Sequence, residues 1–68
     1  MNALMDIARC LSADIDSFTQ GRIDEDWLRS RVNQRAHAAE FCGVSFSAVV
    51  QCLAQSRREV LEGLEVTA

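Results

Sequence analysis

Two short interruptions in an otherwise helical pattern constrain the fold of this 68-residue chain most strongly. One of them places Gly43 before Val44 and Ser45. Glycine ends helices in the left-handed conformation without steric strain, and serine caps a following helix by accepting a backbone N–H hydrogen bond. Val44 and Val49 then occupy the two positions whose contact fixes the angle at which the chain enters the helix. This pattern predicts two helices that meet at a tight corner.

The other interruption uses the same design earlier in the chain. Gly21 ends the preceding apolar pattern, and Asp24 is placed to cap the next helix. Ile23 and Leu28 stand in the same relation as Val44 and Val49. Because the loop is only a few residues long, we expect the first two helices to lie antiparallel.

Apolar residues at three- and four-residue spacing predict an all-α fold, a small bundle of two or three helices in a single domain, 1–68. We expect helices at 3–19, 25–42 and 46–62, with Asn2 capping the first and Gly63 able to end the last. The inner stripe of the first helix consists of Leu4, Ile7, Ala8, Leu11, Ile15 and Phe18. The charged residues on its other side, which should face water, are Asp6, Arg9, Asp14 and Asp16.

The second helix combines small inner residues with several arginines. Its inner stripe is Leu28, Val32, Ala36 (or Arg35), Ala39 and Cys42, flanked by Trp27 and Phe41. Arg29 and Glu25 are spaced as a helix-surface ion pair, as are Asp6 with Arg9 and Arg58 with Glu62. Arg29, Arg31 and Arg35 therefore form either a solvated face or a docking patch for an acidic surface.

The composition limits the classes of function. Ten acidic residues and seven arginines, with no lysine, give a net charge of −3, which does not attract nucleic acid unless the arginines cluster. We interpret Cys10, Cys42 and Cys52 as small buried side chains in a reducing cytoplasm, since their spacing suits neither a disulfide framework nor a metal. His37 stands alone, so we expect no metal site, no cofactor and no enzyme activity. A signal peptide and a membrane-spanning segment are not expected either.

Residues 35–54 resemble the helix-turn-helix of phage repressors and Cro proteins. In that family a small residue precedes the turn glycine by four positions, and branched apolar residues follow the glycine by one and by six. The corresponding residues are Ala39, Gly43, Val44 and Val49, and Leu53 also fits. The resemblance implies a second helix that enters the DNA major groove with its early outward residues. Of those outward residues, Ser45, Ser47 and Gln51 suit base edges, whereas Phe46, Val50 and Ala54 do not.

The predicted third helix is apolar on two sides. Val49, Leu53, Val60 and Leu64 form one stripe, with Cys52 beside it, and Phe46, Val50 and Ala54 form the other. A helix apolar on two sides is buried between neighbours, which a 68-residue monomer supplies with difficulty. A second copy or a target protein would cover it, and so the sequence favours an oligomer, with a homodimer first. Packing of Phe46 and Val50 within the monomer is the alternative.

These features predict a cytoplasmic regulatory protein that acts by binding another protein. An inhibitor or antiactivator of a transcription factor, a phage or mobile-element modulator of a host protein, and a chaperone-like modulator all fit this description. The predicted partner-binding residues are Trp27, Arg31, Phe41, Phe46 and Val50. The alternative is a dimeric helix-turn-helix transcriptional regulator, in which Ser45, Ser47 and Gln51 read bases while Arg57 and Arg58 hold phosphate.

Overall fold

The computed structural model describes residues 2–65, apart from the side chain of Glu65, and over that range the prediction of an all-α fold is confirmed. Its four helices are α1 (Ala3–Thr19), α2 (Glu25–Phe41), α3 (Phe46–Gln51) and α4 (Gln55–Glu65). The ends of the predicted domain, residues 1 and 66–68, lie outside the described residues.

The three N-caps expected from the sequence all form in the structure. Each side-chain oxygen accepts a hydrogen bond from the backbone N–H three residues later. The N···O distances are 3.3 Å at Asn2, 2.8 Å at Asp24 and 3.4 Å at Ser45. Each cap satisfies one of the amide groups that the first turn of a helix leaves unpaired, so the starts of α1, α2 and α3 are encoded locally.

The ends of α1 and α2 share one backbone motif. Gly21 and Gly43 have φ angles of 79° and 72°, in the left-handed region. At the second of these ends, the Val44 N–H donates to the Ala39 carbonyl at 2.8 Å and the Gly43 N–H donates to the Glu40 carbonyl at 3.1 Å. The equivalent two bonds close the end of α1. This pairing is the Schellman motif, which requires a residue without a Cβ penalty at positive φ.

We expect alanine to have opposite effects at Gly43 and Gly63. A Cβ would meet no atom within 4 Å at either position, so only backbone conformation matters. Gly43→Ala forces alanine into the left-handed region and should lower the free energy of unfolding by about 1–2 kcal/mol. Contrary to the prediction that it can end the helix, Gly63 lies inside α4. Gly63→Ala should therefore raise the same quantity by about 0.5–1 kcal/mol. Urea denaturation measures both, and two shifts of the same sign would contradict the assignment.

The core lies where α1, α2 and α3 meet and is extended by α4. The residues with the largest fully buried side chains are Leu11, Ile15, Leu28 and Val49. Ile23 and Val44, which precede the caps of α2 and α3, pack against this core and are half-buried. The two apolar pairs proposed to fix the corners thus belong to one cluster.

The predicted third helix, 46–62, is instead two helices separated at Cys52–Ala54. The amides of Cys52 and Leu53 donate to carbonyls three residues back, and Ala54 accepts the first two hydrogen bonds of α4. The interval contains neither glycine nor proline, so local sequence does not mark it. The chain bends here because of contacts between α4 and α1. Arg57 on α4 pairs with Asp16 on α1, and the bend allows Leu61 and Leu64 to be buried.

Candidate functional site: an apolar groove between α2, α3 and α4

The bend between α3 and α4 leaves an open groove beside α2. Its volume is about 290 Å³, and its apolar lining comes from Val32 on α2, Phe46 and Val50 on α3, and Leu61 on α4. Ser47, Arg58 and Glu62 complete the walls. The groove exists because α4 is anchored to α1 and makes few contacts with α2.

A second hollow continues the groove along α4. It has a volume of about 190 Å³ and shares Val32 and Leu61 with the first. Asn33 and Leu64 extend its lining, and Arg29 forms part of its wall. Together the two hollows form a channel beside α2 whose lining is mostly apolar in the larger hollow and evenly divided between polar and apolar surface in the smaller one. We call this channel, from Phe46 and Val50 to Leu64, the groove.

Arg58 lines the groove and has a hydrogen-bond donor without an acceptor. Its Nη2 donates to the Gln55 Oε1 at 2.9 Å, so Arg58 turns back along α4 rather than forming the predicted pair with Glu62. Its Nε atom is buried and has no hydrogen-bond acceptor among the described residues. Buried polar groups in native proteins are nearly always paired, so an unpaired guanidinium N–H in a groove wall requires an explanation.

The structure divides the five predicted partner-binding residues among three places. Phe46 and Val50 lie in the groove and are half-buried against the core, so part of their apolar surface is already covered within the chain. Trp27 and Phe41 lie apart from the groove on α2, where they are 52% and 92% exposed. Arg31 is near Trp27, with its guanidinium carbon 5.5 Å from the ring centroid.

The arginines of α2 are engaged within the chain. Arg35 donates from Nε to Asp14 at 2.9 Å, and Arg31 approaches the same carboxylate at 3.9 Å. Asp14 is only 9% exposed, so the prediction that it faces water is wrong. The physical reason is that α2 supplies two cations to the flank of α1 where Asp14 lies. Arg29 pairs with Glu25 at 3.0 Å, as its spacing indicates.

Some of the predicted DNA-contacting residues are exposed, and others form hydrogen bonds within the chain. Ser47 and Gln51 are exposed on α3, while the Ser45 hydroxyl is used as an N-cap. Arg57 donates two hydrogen bonds to Asp16, both at 3.0 Å. Asp16, whose side chain is 45% exposed, faces water as predicted and also joins α1 to α4. Arg57 and Arg58 both donate hydrogen bonds to other side chains of the protein, to Asp16 and to Gln55 respectively.

The Asp16–Arg57 pair shifts both titrations. The hydrogen bond from Arg57 lowers the pKa of the Asp16 carboxyl, and the bond to Asp16 raises the pKa of Arg57. In the same manner, the hydrogen bond to Asp14 raises the pKa of Arg35. Because the folded-state pKa of Asp16 lies below its unfolded value of about 3.9, its stabilising contribution is fully present above that value. It is lost as the pH falls through the folded-state pKa.

We therefore expect the effect of Asp16→Asn on the melting temperature to depend on pH. The variant should melt below the wild type at neutral pH, and the difference should close as the acidic limit is approached. Glu40→Gln, at an exposed position in the last turn of α2, is the control and should not melt below the wild type at neutral pH, since the C-terminal end of a helix disfavours negative charge. Thermal melts by circular dichroism across the acidic range measure this. A constant difference between wild type and Asp16→Asn would contradict the linkage.

The three cysteines are not in the core. Cys10, Cys42 and Cys52 carry free thiols and are exposed, so the prediction that they are buried is wrong. Cys42 and Cys52 are the C-caps of α2 and α3, where the chain turns at the surface. His37 is exposed on α2. Within residues 2–65, no set of three or more histidine, cysteine or acidic side chains is grouped as a metal site would require.

Three residues that line the groove are not predicted to do so from the sequence. The sequence predicts that Val32 lies in the core and that Arg58 pairs with Glu62, and it assigns Leu61 to no inner stripe. A continuous helix from Phe46 would turn Leu61 about 120° away from Val49, since each residue advances about 100°. The bend resets this phase, and no residue near it signals the change.

Comparisons with known proteins leave the chain without an assigned relative. No family model matches it. Searches of curated proteins and of solved structures find no significant match. None of the helices in residues 2–65 combines the length and apolar character needed to cross a bilayer.

Proposed function

We propose that this protein is a small regulator that acts in the cytoplasm by binding another protein, and that the groove receives an apolar partner segment bearing a carboxylate. The observation that carries the proposal is the buried Arg58 Nε, which has no acceptor within the described chain and lies in the wall of an apolar channel. That atom is out of contact with solvent in the structure, so Arg58 would turn toward the groove on binding, and a carboxylate from the bound segment would then supply the acceptor.

The size and shape of the groove favour a polypeptide segment over a metabolite. The larger hollow, at about 290 Å³, lies at the lower limit of small-molecule sites, which are about 300–1,000 Å³, and the smaller hollow, at about 190 Å³, lies below it. The groove that they form is open to solvent and extends along α4, so an extended ligand can follow it. Amphipathic helices bind such channels through apolar residues at i, i+3, i+4 and i+7. Burial of Phe46 and Val50, which the monomer covers only in part, would add apolar contact area.

Charge near the groove gives a bound segment a direction. Arg58 and Glu62 both line it and lie one helical turn apart on α4. A segment with an acidic residue near Arg58 satisfies the guanidinium, whereas the reverse orientation places that acid against Glu62. Charge-assisted hydrogen bonds of this kind are about twice as strong as neutral ones. Arg58 therefore provides specificity, and the apolar walls provide contact area.

The proposal predicts a charge preference that a pair of peptides measures. One peptide is a labelled amphipathic helix with leucines at i and i+4 and glutamate at i+7, and its companion has lysine in place of the glutamate. Fluorescence anisotropy should show about tenfold tighter binding of the glutamate peptide, which corresponds to about 1.4 kcal/mol. Arg58→Met retains the apolar stem and should remove the preference. Arg9→Met, on the exposed side of α1, should retain it.

Phe46→Asp is a less selective test of the same site because Phe46 also packs against the core. Shifts of the Val32, Val50 and Leu61 methyl resonances should locate the peptide in the groove. Equal binding of the two peptides by the wild type, or binding that leaves these methyl groups unmoved, would contradict the proposal.

DNA binding is the second candidate, and the exposure of Ser47 and Gln51 just after the Gly43 corner favours it. The net charge of −3 and the engagement of Arg57 by Asp16 oppose it. Proteins that contact several phosphates bind random duplex with a steep negative dependence of log affinity on log salt. A salt titration against random duplex separates the two candidates, and we expect no complex even at low salt.

A further inference from the structure

The outer face of α2 carries two of the three large apolar side chains that are exposed in the described part of the chain, Trp27 and Phe41. These residues are 14 positions apart in the sequence, which corresponds to about 21 Å along a helix. At about 100° per residue, their directions around the helix differ by about 40°. They therefore lie on one stripe, near its two ends. Gln34 is midway between them.

From this spacing we infer that the stripe is the interface between two copies of the chain, with their α2 helices antiparallel about a two-fold axis at Gln34. A two-fold interface must be self-complementary, so that residue i of one copy meets residue j of the other and the reverse. An antiparallel pair centred on Gln34 places each Trp27 against the partner copy's position 41. The same operation places Ser30 against position 38.

The residues between the two aromatic positions permit close approach of the helices. Ser30 is short and exposed, Ala38 is short and packs in part against the core at the inner edge of the stripe, and Gln34 can hydrogen-bond its own counterpart across the axis. Asp26 and Glu40 point about 80–120° away from the centre of the stripe, toward solvent. Arg31 flanks the stripe but is held by Asp14, at 3.9 Å, and lies over the Trp27 ring.

This contact also prepares Trp27 for binding. An indole covered on one face by a tethered guanidinium loses less conformational freedom when a partner covers the other face. Tryptophan and arginine are enriched among the residues that dominate interface affinity. Trp27 and Arg31 lie at one end of the stripe, and the almost fully exposed Phe41 lies at the other. The two-fold axis places each end against the opposite end of the second copy.

The available area is that of a weak dimer. Aromatic side chains bury about 150–250 Å² each, so the exposed parts of Trp27 and Phe41 amount to roughly 300 Å² per copy. Two copies supply roughly 600 Å², about half of the ~1,200 Å² at the lower limit of stable interfaces. The remaining stripe along the 17 residues of α2 supplies the balance. We therefore expect a dissociation constant of about 1–100 μM.

The inference goes beyond the proposed function and is independent of it. Val32, in the groove, is turned about 140° from Trp27 around α2. A dimer through the stripe thus leaves both grooves open and presents two of them to a partner. A negative result in the peptide experiment would not contradict the dimer, and a negative result in the dimer experiment would not contradict peptide binding in the groove.

Sedimentation equilibrium of the full chain tests the dimer. The mass should rise from 7.6 kDa to twice that value as the concentration passes through the micromolar range. Phe41→Ser removes two anchors per dimer and should weaken association about 100-fold or more while the helical circular dichroism is unchanged. Met5→Ser, at the third exposed apolar side chain, is the matched control and should leave the dimer intact. A monomer at every concentration up to about 1 mM, or growth beyond the dimer, would overturn the inference.

Disulfide trapping tests the register and does not depend on the stability of Phe41→Ser. In a background with Cys10, Cys42 and Cys52 replaced by serine, Gln34→Cys places one thiol on the proposed axis in each copy. This variant should oxidise to a covalent dimer at least about tenfold faster than Gln51→Cys, at an exposed site on α3. Equal rates, or faster trapping at position 51, would overturn the assigned interface.

Discussion

Leu28→Ala is expected to remove a large share of the stability of this protein. Leu28 is 0% exposed and lies four residues after the Asp24 cap, where α2 joins the core. Truncating a fully buried leucine costs about 2–5 kcal/mol, because the lost transfer free energy is joined by the cost of a cavity. A native domain of 68 residues has a total stability of about 3–10 kcal/mol at typical values per residue. One truncation therefore takes a large share.

The scarcity of other buried side chains makes the effect large. Only Leu11, Ile15, Leu28 and Val49 are large side chains that are fully buried among the described residues. Leu28 belongs to the pair that sets the entry of α2, so its loss also loosens the corner at Gly21. Urea denaturation followed by circular dichroism measures the change. Leu28→Met, which conserves volume, should cost less than about 1.5 kcal/mol. A loss below about 1 kcal/mol in Leu28→Ala would show that the core at this point can collapse.

The parts of the fold that the sequence predicts well are those fixed by neighbouring residues. The α1 helix spans Ala3–Thr19, the range that its apolar spacing indicates. The Asp24 and Ser45 caps depend on hydrogen bonds over three residues, and the glycine ends depend on one φ angle each. Local chemistry decides all of these features, so they can be derived before any tertiary contact is known.

The bend between α3 and α4 shows where such reasoning stops. Residues 52–54 are compatible with a continuous helix, and intrinsic propensity is a weak determinant that tertiary contacts override. The contact between Asp16 and Arg57 spans 41 residues in the sequence, and nothing in either local pattern selects that pairing. The bend rotates Leu61 into the interior, creates the groove and partly covers Phe46. The position of the candidate site therefore could not be predicted from the sequence, although two of the residues that line it, Phe46 and Val50, are among the predicted partner-binding residues.

The arginines of α2 show the same limit for charge. Arg31 and Arg35 have the spacing of a basic surface patch, and Asp14 has the spacing of a solvated residue. Packing of α2 on α1 joins all three, so both arginines of the apparent patch pair within the chain, with the Arg31 side chain still 37% exposed. The sequence shows which charges share a helix face but not which helix lies against that face.

The Asp14–Arg35 pair is the second position at which we expect a large loss of stability. Asp14 is 9% exposed and accepts hydrogen bonds from Arg35 at 2.9 and 3.5 Å. Removing one member of a buried pair costs about 3–5 kcal/mol, since an uncompensated charge stays behind. The Arg35 side chain is 24% exposed and can reach water in part, so we expect about 2–3 kcal/mol for Asp14→Leu.

A double variant separates the cost of a broken pair from the net value of an intact one. Asp14→Leu with Arg35→Met replaces both charges by apolar groups of similar length, and such exchanges are often neutral or stabilising. The double variant should therefore recover most of the stability that Asp14→Leu loses, and urea denaturation of the three variants and the wild type measures the coupling. Arg9→Ala, at an exposed pair with an N···O distance of 3.9 Å, should change stability by less than about 0.5 kcal/mol. Additive losses in the double variant would mean that Asp14 and Arg35 stabilise the packing of α1 against α2 through separate contacts, with Arg31, whose side chain is 37% exposed, as the one cation of the cluster that remains.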